Sequence, residues 1–318
     1  MQFFGPDELE AVLDFPSLIE ALRKAFASGV TMPQRQHYHI EASPPASGGD
    51  LLLMPAWQAE EFIGVKIVSV FPDNAQQGLP AVSGVYVLLN GNTGAPLAVM
   101  DGTRLTLRRT AAASALAADY LARDQAKRLL MVGTGALAPH LIRAHATIRP
   151  ITEVMVWGRN FSKAEALAQH LADQPYKVTA VIDLAAAVSK AEIVSCATLS
   201  MTPLIKGEWL SPGTHLDLVG GFRPTMREAD DAAILRSRVF VDTREGATKE
   251  AGDIVQPINS GVLDPKNIIA DFFDLTQNDQ KARKSSEEIT FFKSVGAAIE
   301  DLAAARLATA KLLERAYE

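Results

Sequence analysis

The sequence predicts an α/β protein that combines a doubly wound parallel sheet with a second domain of α+β type. Its 318 residues suggest two domains, at roughly 150 residues each. Beyond residue 104, short apolar strands alternate with helical segments, which indicates βαβ units and a parallel sheet. Between residues 34 and 100, strand-like segments follow one another, which indicates a separate and mainly antiparallel sheet.

Composition and charge narrow the class of protein. The chain is 48% hydrophobic and 21% charged, and no apolar run approaches the roughly 20 residues that a membrane-spanning helix needs. The N-terminal residues lack the pattern of a signal peptide. Cys196 is the single cysteine, and the net charge of −6 offers no basic surface for nucleic acid. We therefore expect a cytoplasmic protein that binds no metal, membrane or nucleic acid.

The N-terminal segment begins with two short predicted helices. Pro6 and Pro16 suit the first turn of each helix, and an apolar face follows in residues 18–26. The strands predicted next are Leu51–Met54, Phe62–Phe71, Val82–Leu89 and Pro96–Met100. The turn Asn90–Gly94 is a hairpin signal, which supports antiparallel pairing.

The second half of the chain alternates between the two kinds of element. An Ala-rich helix is predicted over Leu105–Arg123, and a long amphipathic helix over Phe291–Ala316. The strands predicted between them are Arg128–Val132, Val154–Trp157, Val178–Val181, Ile193–Ala197, His215–Val219 and Val239–Asp242.

A glycine-rich loop joins the first of these strands to the next helix. Its sequence, Gly133-Thr134-Gly135-Ala136-Leu137-Ala138, has the pattern G-x-G-x-x-A. The first glycine permits a tight turn, the second lets the backbone approach a pyrophosphate, and the alanine allows close packing of helix on sheet. The following helix N-terminus offers free N–H groups to phosphates. Since strand, loop, helix and second strand are all present, the sequence predicts a Rossmann-type dinucleotide site.

The end of the second strand indicates which dinucleotide binds. NAD-binding domains usually have an acidic residue there, whereas arginine suits the 2′-phosphate of NADP. Here the strand ends in Gly158-Arg159-Asn160, with Lys163 close by. We expect NADP(H) to be preferred and NAD(H) to be possible. Thr198, just past a later strand, is expected on the nicotinamide side, because ligands meet such sheets at the carboxyl ends of the strands.

Blocks along nearly the whole chain carry a family resemblance. These blocks are Pro33–Arg35, Gly64–Lys66, Met100–Ala118, the glycine loop, Val219–Asp230 and Ser294–Ala303. In this order they resemble the ornithine cyclodeaminase/mu-crystallin family. The resemblance implies a Rossmann domain at residues 118–292. It also implies a substrate-binding and dimerisation domain at residues 1–117 plus 293–318, and hence a homodimer.

The chemistry that such proteins share is hydride transfer between the nicotinamide ring and the α-carbon of an amino or imino acid. The resemblance implies that Lys66, Arg35 and Arg109 act in catalysis on the substrate side. Lys66 stands out by itself, because an ammonium group inside an apolar strand is costly unless it is paired. Arg109 precedes a closely packing helix, so its charge also needs a partner, which a substrate carboxylate would supply. The full set of expected cofactor contacts is Thr110, Gly133, Thr134, Gly135, Ala136, Leu137, Ala138, Arg159, Asn160, Lys163, Thr198, Val219, Ser294 and Gly296.

One position departs from the family pattern. In cyclodeaminases an aspartate follows the glycines at Gly220-Gly221, but this chain has Phe222. A phenyl ring cannot exchange protons, which ammonia release demands, although an unaligned aspartate could substitute. We expect Gly221 and Phe222 in the substrate pocket of an NADPH-preferring reductase of cyclic ketimine carboxylates. The proton donor is either Lys66 or a water relayed through Thr110 or Ser294.

Three other functions stay open from the sequence. They are an ornithine or lysine cyclodeaminase, an enzyme like alanine dehydrogenase, and a non-catalytic binder like mu-crystallin. The expected substrate is a small cyclic imino acid with a five- or six-membered ring. The five-membered candidate is Δ1-pyrroline-2-carboxylate, which gives L-proline, and the six-membered candidate is Δ1-piperideine-2-carboxylate, which gives L-pipecolate.

Overall fold

The computed structural model describes residues 1–43, 48–278 and 282–315. The chain divides into two compact units. Unit 1 is Met1–Thr110 with Ala297–Glu318, and unit 2 is Ala111–Gly296. The predicted boundaries, after residues 117 and 292, lie a few residues from these divisions.

Unit 1 contains a six-stranded sheet and, among the residues that the structure describes, three α-helices of its own. The strands are β1 (Gln2–Phe4), β2 (Gln36–Ile40), β3 (Gly49–Gln58), β4 (Phe62–Val70), β5 (Val82–Asn90) and β6 (Pro96–Asp101). Their order is β1-β6-β5-β4-β3-β2, and all neighbours are antiparallel except β1 and β6. The four predicted strands are therefore present, while the sequence analysis missed β1 and assigned no bounds to β2.

Helices cover one face of this sheet. They are α1 (Pro6–Val12), α2 (Phe15–Ala27) and the long C-terminal helix, α11 (Ala298–Arg315), which packs on α2 and on β3, β4 and β5. Both N-terminal helices carry proline in their first turn, as predicted. Because side chains alternate between faces, Met54, Lys66, Tyr86 and Met100 point to the helix-covered face, in one row across four strands.

Unit 2 is an eight-stranded parallel sheet with helices between its strands. The strands are β7 (Arg128–Val132), β8 (Glu153–Trp157), β9 (Lys177–Ala180), β10 (Ile193–Cys196), β11 (His215–Leu218), β12 (Ser237–Val241), β13 (Ile268–Ala270) and β14 (Ile289–Lys293). Their order is β13-β12-β14-β11-β10-β7-β8-β9. The predicted doubly wound parallel sheet is confirmed, and six of its strands lie where the sequence placed them.

The helices of unit 2 follow the same alternation. The Ala-rich helix α3 (Gly102–Leu121) begins in unit 1 and ends in unit 2. The others are α4 (Ala138–Ile148), α5 (Phe161–His170), α6 (Leu184–Lys190), α7 (Asp231–Leu235), α8 (Arg244–Glu250), α9 (Gly252–Asn259) and α10 (Phe272–Asn278). In the part of the chain that the structure describes, none of the helices could cross a bilayer.

The prediction of one helix over Phe291–Ala316 is wrong at its start. Phe291, Phe292 and Lys293 belong to β14, which is buried between β11 and β12. Aromatic residues suit a buried strand, and Gly296, with φ of +81°, separates that strand from α11. The predicted end, Ala316, lies outside the described residues.

Candidate active site

The glycine loop lies between β7 and α4, as the dinucleotide-binding pattern requires. Gly133 has φ of +120°, and a Cβ there would lie 2.5 Å from the Ala197 carbonyl oxygen, so both conformation and space demand glycine. Gly135 has no atom within 4 Å of an added Cβ, which leaves its backbone open to a ligand. Ala138 is buried at the start of α4. The loop therefore fits a pyrophosphate at a helix N-terminus.

A cavity of about 370 Å³ opens beside this loop. The predicted cofactor residues that line it are Gly133, Thr134, Gly135, Arg159, Asn160, Lys163 and Thr198. Asn160 also caps α5, with its side chain accepting from the Lys163 amide. Among the described residues that line the cavity there are two cations and no carboxylate. Its electrostatics therefore suit an anionic ligand.

The carboxyl ends of four neighbouring strands assemble further predicted residues. Gly133, Val219 and Ser294 directly follow β7, β11 and β14, and Thr198 follows β10 by two residues. This edge is where an open parallel sheet meets its ligand. Gly296 lies just beyond, where its amide donates to the Asp242 carboxylate at 2.8 Å. Ala136 is exposed and Leu137 half-buried in the glycine loop, while Thr110 is nearly buried at the end of unit 1.

A buried cluster of charges occupies the helix-covered face of unit 1. The Lys66 ammonium lies 2.8 Å from Asp301 Oδ2, and both side chains are almost fully buried. Arg109 donates from Nε to Asp301 Oδ1 at 3.0 Å and from Nη1 to Glu300 Oε2 at 2.5 Å. The partner expected for Arg109 was a substrate carboxylate, whereas the structure supplies two carboxylates from α11. Those two bonds engage Nε and Nη1 of a guanidinium that has five N–H donors.

Burial and neighbouring charges set the protonation of this cluster. Burial, followed by the charge of Arg109, lowers the pKa of Lys66 to about 8, although the charge of Asp301 opposes the change. Burial also opposes the charge on Arg109, but Asp301 and Glu300 outweigh it and raise the pKa of that guanidinium. Arg35, half-buried just before β2, also lowers the pKa of Lys66. Lys66 is thus cationic at neutral pH and close enough to its pKa to release a proton.

Tyr86 completes this face of the sheet. It pairs with Lys66 across β4 and β5, and burial followed by the charge of Asp301 raises its pKa well above the usual value. Its hydroxyl occupies the space that a Cβ at Gly64 would need. Gly64 is therefore required so that Tyr86 can lie beside the charged cluster.

The loop after β11 carries the predicted substrate residues. Gly221 is buried, and Phe222 is 42% exposed. The Phe222 amide donates to the Gly220 carbonyl at 2.7 Å, which makes a tight turn. The Glu228 carboxylate lies beneath this turn and accepts from the Gly220 and Gly221 amides. Phe222 is thus presented outward on a firmly held turn.

A family model independently matches most of the chain. Residues 7–316 match the model described as the ornithine cyclodeaminase/mu-crystallin family. The chain belongs to this family. The resemblance drawn from the sequence blocks is therefore confirmed.

Named relatives of this ornithine cyclodeaminase/mu-crystallin chain are full-length matches. It is 39% identical to the Δ1-pyrroline-2-carboxylate reductase of Colwellia psychrerythraea, over 99% of this chain and 100% of that one. The structure of the Thermococcus litoralis Δ1-pyrroline-2-carboxylate reductase with NADH and L-proline has a TM-score of 0.92 at 34% identity, covering 99% and 98% of the two chains. An archaeal alanine dehydrogenase dimer with bound NAD has a TM-score of 0.90 at 29% identity, covering 98% and 96%.

Sequence reasoning missed the carboxylates that pair with the cations. Glu300 and Asp301 lie in a block that carried the family resemblance, but no role was assigned to them. A signal was present, because two adjacent acids interrupt the apolar residues of α11. A charged group among apolar residues is as costly for Glu300 and Asp301 as it is for Lys66. Glu228 and Tyr86 were also missed, since only the folded chain places them beside the predicted residues.

Proposed function

We propose that this chain reduces cyclic ketimine carboxylates, Δ1-pyrroline-2-carboxylate or its six-membered homologue, to L-proline or L-pipecolate with NAD(P)H. The observation that carries the proposal is the buried Lys66–Asp301–Arg109 cluster, in a chain whose other unit holds a dinucleotide-type loop. The relatives named above support it, because a reductase of this name matches the chain from end to end.

In this mechanism unit 1 holds the substrate and supplies a proton. Lys66 and Arg109 contact Asp301 and Glu300, and Arg35 lies close enough to lower the pKa of Lys66. These three cations are the proposed binding groups for the substrate carboxylate. Lys66 is the proton donor to the imine nitrogen. When bound, the nicotinamide cofactor supplies the hydride that the imine carbon accepts.

We propose that Phe222, the predicted pocket residue, is incompatible with ammonia chemistry. Two carboxylates approach the turn that carries it, Glu228 and Asp253, but both are essentially inaccessible to solvent. Backbone amides donate to both oxygens of Glu228 and to Oδ1 of Asp253. We propose that neither substitutes for the aspartate of cyclodeaminases, and that Phe222 packs against the substrate ring.

The cavity beside the glycine loop supports a proposal about which cofactor is preferred. We propose that NADPH is preferred over NADH, because Arg159 and Lys163 line that cavity without an acidic neighbour. Arg159→Ala should lower kcat/KM with NADPH about ten- to a hundredfold, the value of one charge-assisted contact, and change kcat/KM with NADH far less. Lys266→Ala, which removes an exposed charge of unit 2 that does not line the cavity, is the control. Equal use of both cofactors by the wild type would exclude this preference.

We also propose that the enzyme is a homodimer through the sheet of unit 1. The sheet face opposite the helices is apolar, and its central row is Phe3, Val99, Val87, Val65 and Pro55. Phe3 is 68% exposed and Val85, in the next row, 41% exposed, and such patches mark association surfaces. Val87→Glu should yield monomers by sedimentation at micromolar concentration, whereas Thr93→Glu in the exposed hairpin turn should not. A monomeric wild type would contradict the assignment.

The function is tested by direct comparison of substrates. The purified chain is incubated with NADPH or NADH and either cyclic imine, or with pyruvate plus ammonia. A parallel sample contains ornithine with NAD⁺ and is assayed for ammonia and proline. We expect cofactor oxidation with a cyclic imine and no ammonia from ornithine. Ammonia with proline would identify a cyclodeaminase, faster turnover of pyruvate an alanine dehydrogenase, and no turnover a binder. The expected cytoplasmic location stays a prediction.

A further inference from the structure

One buried side chain joins two of the loops at the carboxyl edge of the unit 2 sheet. Glu228 Oε1 accepts from the Thr198 amide at 2.7 Å and from the Thr198 hydroxyl at 2.8 Å. Its Oε2 accepts from the Gly220 amide at 2.7 Å and the Gly221 amide at 3.3 Å. The loop after β10 and the loop after β11 are thus tied to a single carboxylate. We call this arrangement the Glu228 clamp.

The backbone of Glu228 is itself fixed on both sides. Asp253 Oδ1 accepts from the Glu228 amide at 2.8 Å and from the Ala229 amide at 3.0 Å. The Glu228 carbonyl accepts from the Leu204 and Ile205 amides at 2.8 and 2.9 Å. With its amide, carbonyl and carboxylate all engaged, Glu228 has little freedom to move. The loops after β10 and β11 are therefore hydrogen-bonded to a residue whose own backbone is fixed.

The glycines of the clamp are explained by this close approach. A Cβ at Gly220 would overlap the Thr198 carbonyl and lie 2.5 Å from Glu228 Oε1. A Cβ at Gly221 would lie 2.5 Å from Asp253 Oδ2. The paired glycines therefore bring the loop backbone down onto the carboxylates. Phe222 is the next residue in the chain, and its ring is exposed to solvent.

Stability alone does not account for so many buried charges. Glu228, Asp253 and Lys293 are all essentially inaccessible to solvent, and the Lys293 ammonium lies 3.5 Å from Asp253 Oδ2. Such groups lose their hydration on folding, and well-packed apolar side chains often give equal or greater stability. The Glu228 carboxylate, however, accepts two hydrogen bonds on each of its oxygens, and a buried group satisfied in this way holds one geometry. The clamp is therefore better explained by positioning.

We infer that Glu228 is a positioning residue for hydride transfer, because it fixes Thr198 relative to the turn that presents Phe222. The inference rests on the proposed function, in which Thr198 contacts the nicotinamide side of the cofactor and Phe222 the substrate ring. Glu228 touches neither molecule. It acts by keeping the two contact residues in register.

The experiment compares the wild type with E228Q, E228D and the exposed control E208Q. Glutamine fills the space but has only one acceptor oxygen, and aspartate keeps the charge but is one methylene shorter. We expect hydrogen–deuterium exchange of peptides containing Thr198 and Gly220–Gly221 to quicken about ten- to a hundredfold in E228Q and E228D, since charge-assisted bonds are lost. We also expect kcat to fall at least about tenfold with KM for NAD(P)H nearly unchanged. The isotope effect from cofactor deuterated at the transferred C4 position should increase, because hydride transfer becomes more limiting. E208Q should match the wild type throughout.

Separate readouts distinguish this inference from the proposed function. Fluorescence of bound NAD(P)H reports the surroundings of the nicotinamide without turnover, and it should change in E228Q at similar affinity. Faster exchange with unchanged fluorescence, kcat and isotope effect would reduce Glu228 to a structural residue and overturn the inference. If E228D behaved as the wild type does, charge rather than reach would be responsible, which also contradicts the clamp. A wild type inactive on every imine would refute the proposed function, while exchange and fluorescence would still decide the inference.

Discussion

The protonation of Lys66 leads to a quantitative prediction about pH. Burial, followed by the charge of Arg109, lowers the pKa of this ammonium to about 8. The charge of Asp301, at 2.8 Å, limits the decrease. If Lys66 donates the proton, about 90% of the enzyme is competent at pH 7 and only about 1% at pH 10. The wild-type kcat/KM for imine reduction should therefore fall above pH 8 with a slope approaching tenfold per pH unit.

Replacing Asp301 tests the cause of this limb. Asp301→Asn removes the negative charge that favours the ammonium form, so the pKa of Lys66 should fall by about 1–3 units, the usual effect of a close opposite charge. The falling limb should then begin at or below about pH 7. Glu300→Gln is the matched control, because Glu300 pairs with Arg109. The falling limb of the Glu300→Gln profile should shift to lower pH much less than that of Asp301→Asn.

The assay is initial-rate kcat/KM from cofactor absorbance between pH 6 and 10, with Lys66→Arg as a further variant. Arginine keeps the positive charge but does not release its proton in this range, so kcat/KM should drop and the residual activity should lack the limb assigned to Lys66. The ionisation of the substrate is common to all variants and cancels in the comparison. A wild-type profile without a falling limb, or an unchanged limb in Asp301→Asn, would refute Lys66 as the donor. The relay through Thr110 or Ser294 would then be favoured.

Two further predictions concern stability. Gly64→Ala should lower the free energy of unfolding in urea by about 1–3 kcal/mol, because its Cβ would overlap the Tyr86 hydroxyl. Gly29→Ala is the control and should change it by less than about 0.5 kcal/mol, because no atom lies within 4 Å of the added Cβ. Equal effects would show that Tyr86 is not confined. Burial lowers the pKa of His215 to about 3, so the stability it contributes is present above its ordinary pKa of 6.5 and is lost as the pH falls. Between pH 7 and pH 5 the wild type should lose about 2 kcal/mol more unfolding free energy than His215→Asn, and parallel pH dependences would contradict this assignment.

Local patterns in the chain predict the geometry of the proposed dinucleotide site. The glycine pattern, the strand before it and the helix after it lie close together in the chain, so their geometry follows from local conformational rules. Arg159, Asn160 and Lys163 could likewise be placed from one strand end. The family blocks identified the cations of unit 1, and the strand pattern gave most of both sheets.

The pairing of the charges and the order of the strands depend on contacts between residues that lie far apart in the chain. Arg109 and Asp301 are separated by 192 positions, and Thr198 and Glu228 by 30, so no periodicity connects them. The strand β14 was mistaken for helix because its position between β11 and β12 depends on partners far away in sequence. Burial lowers the pKa of Lys66, and that burial depends on the helix α11, which returns to cover the sheet. Patterns within the chain specify which residues can do chemistry, whereas desolvation and long-range pairing, which exist only in the folded protein, set their charge and their partners.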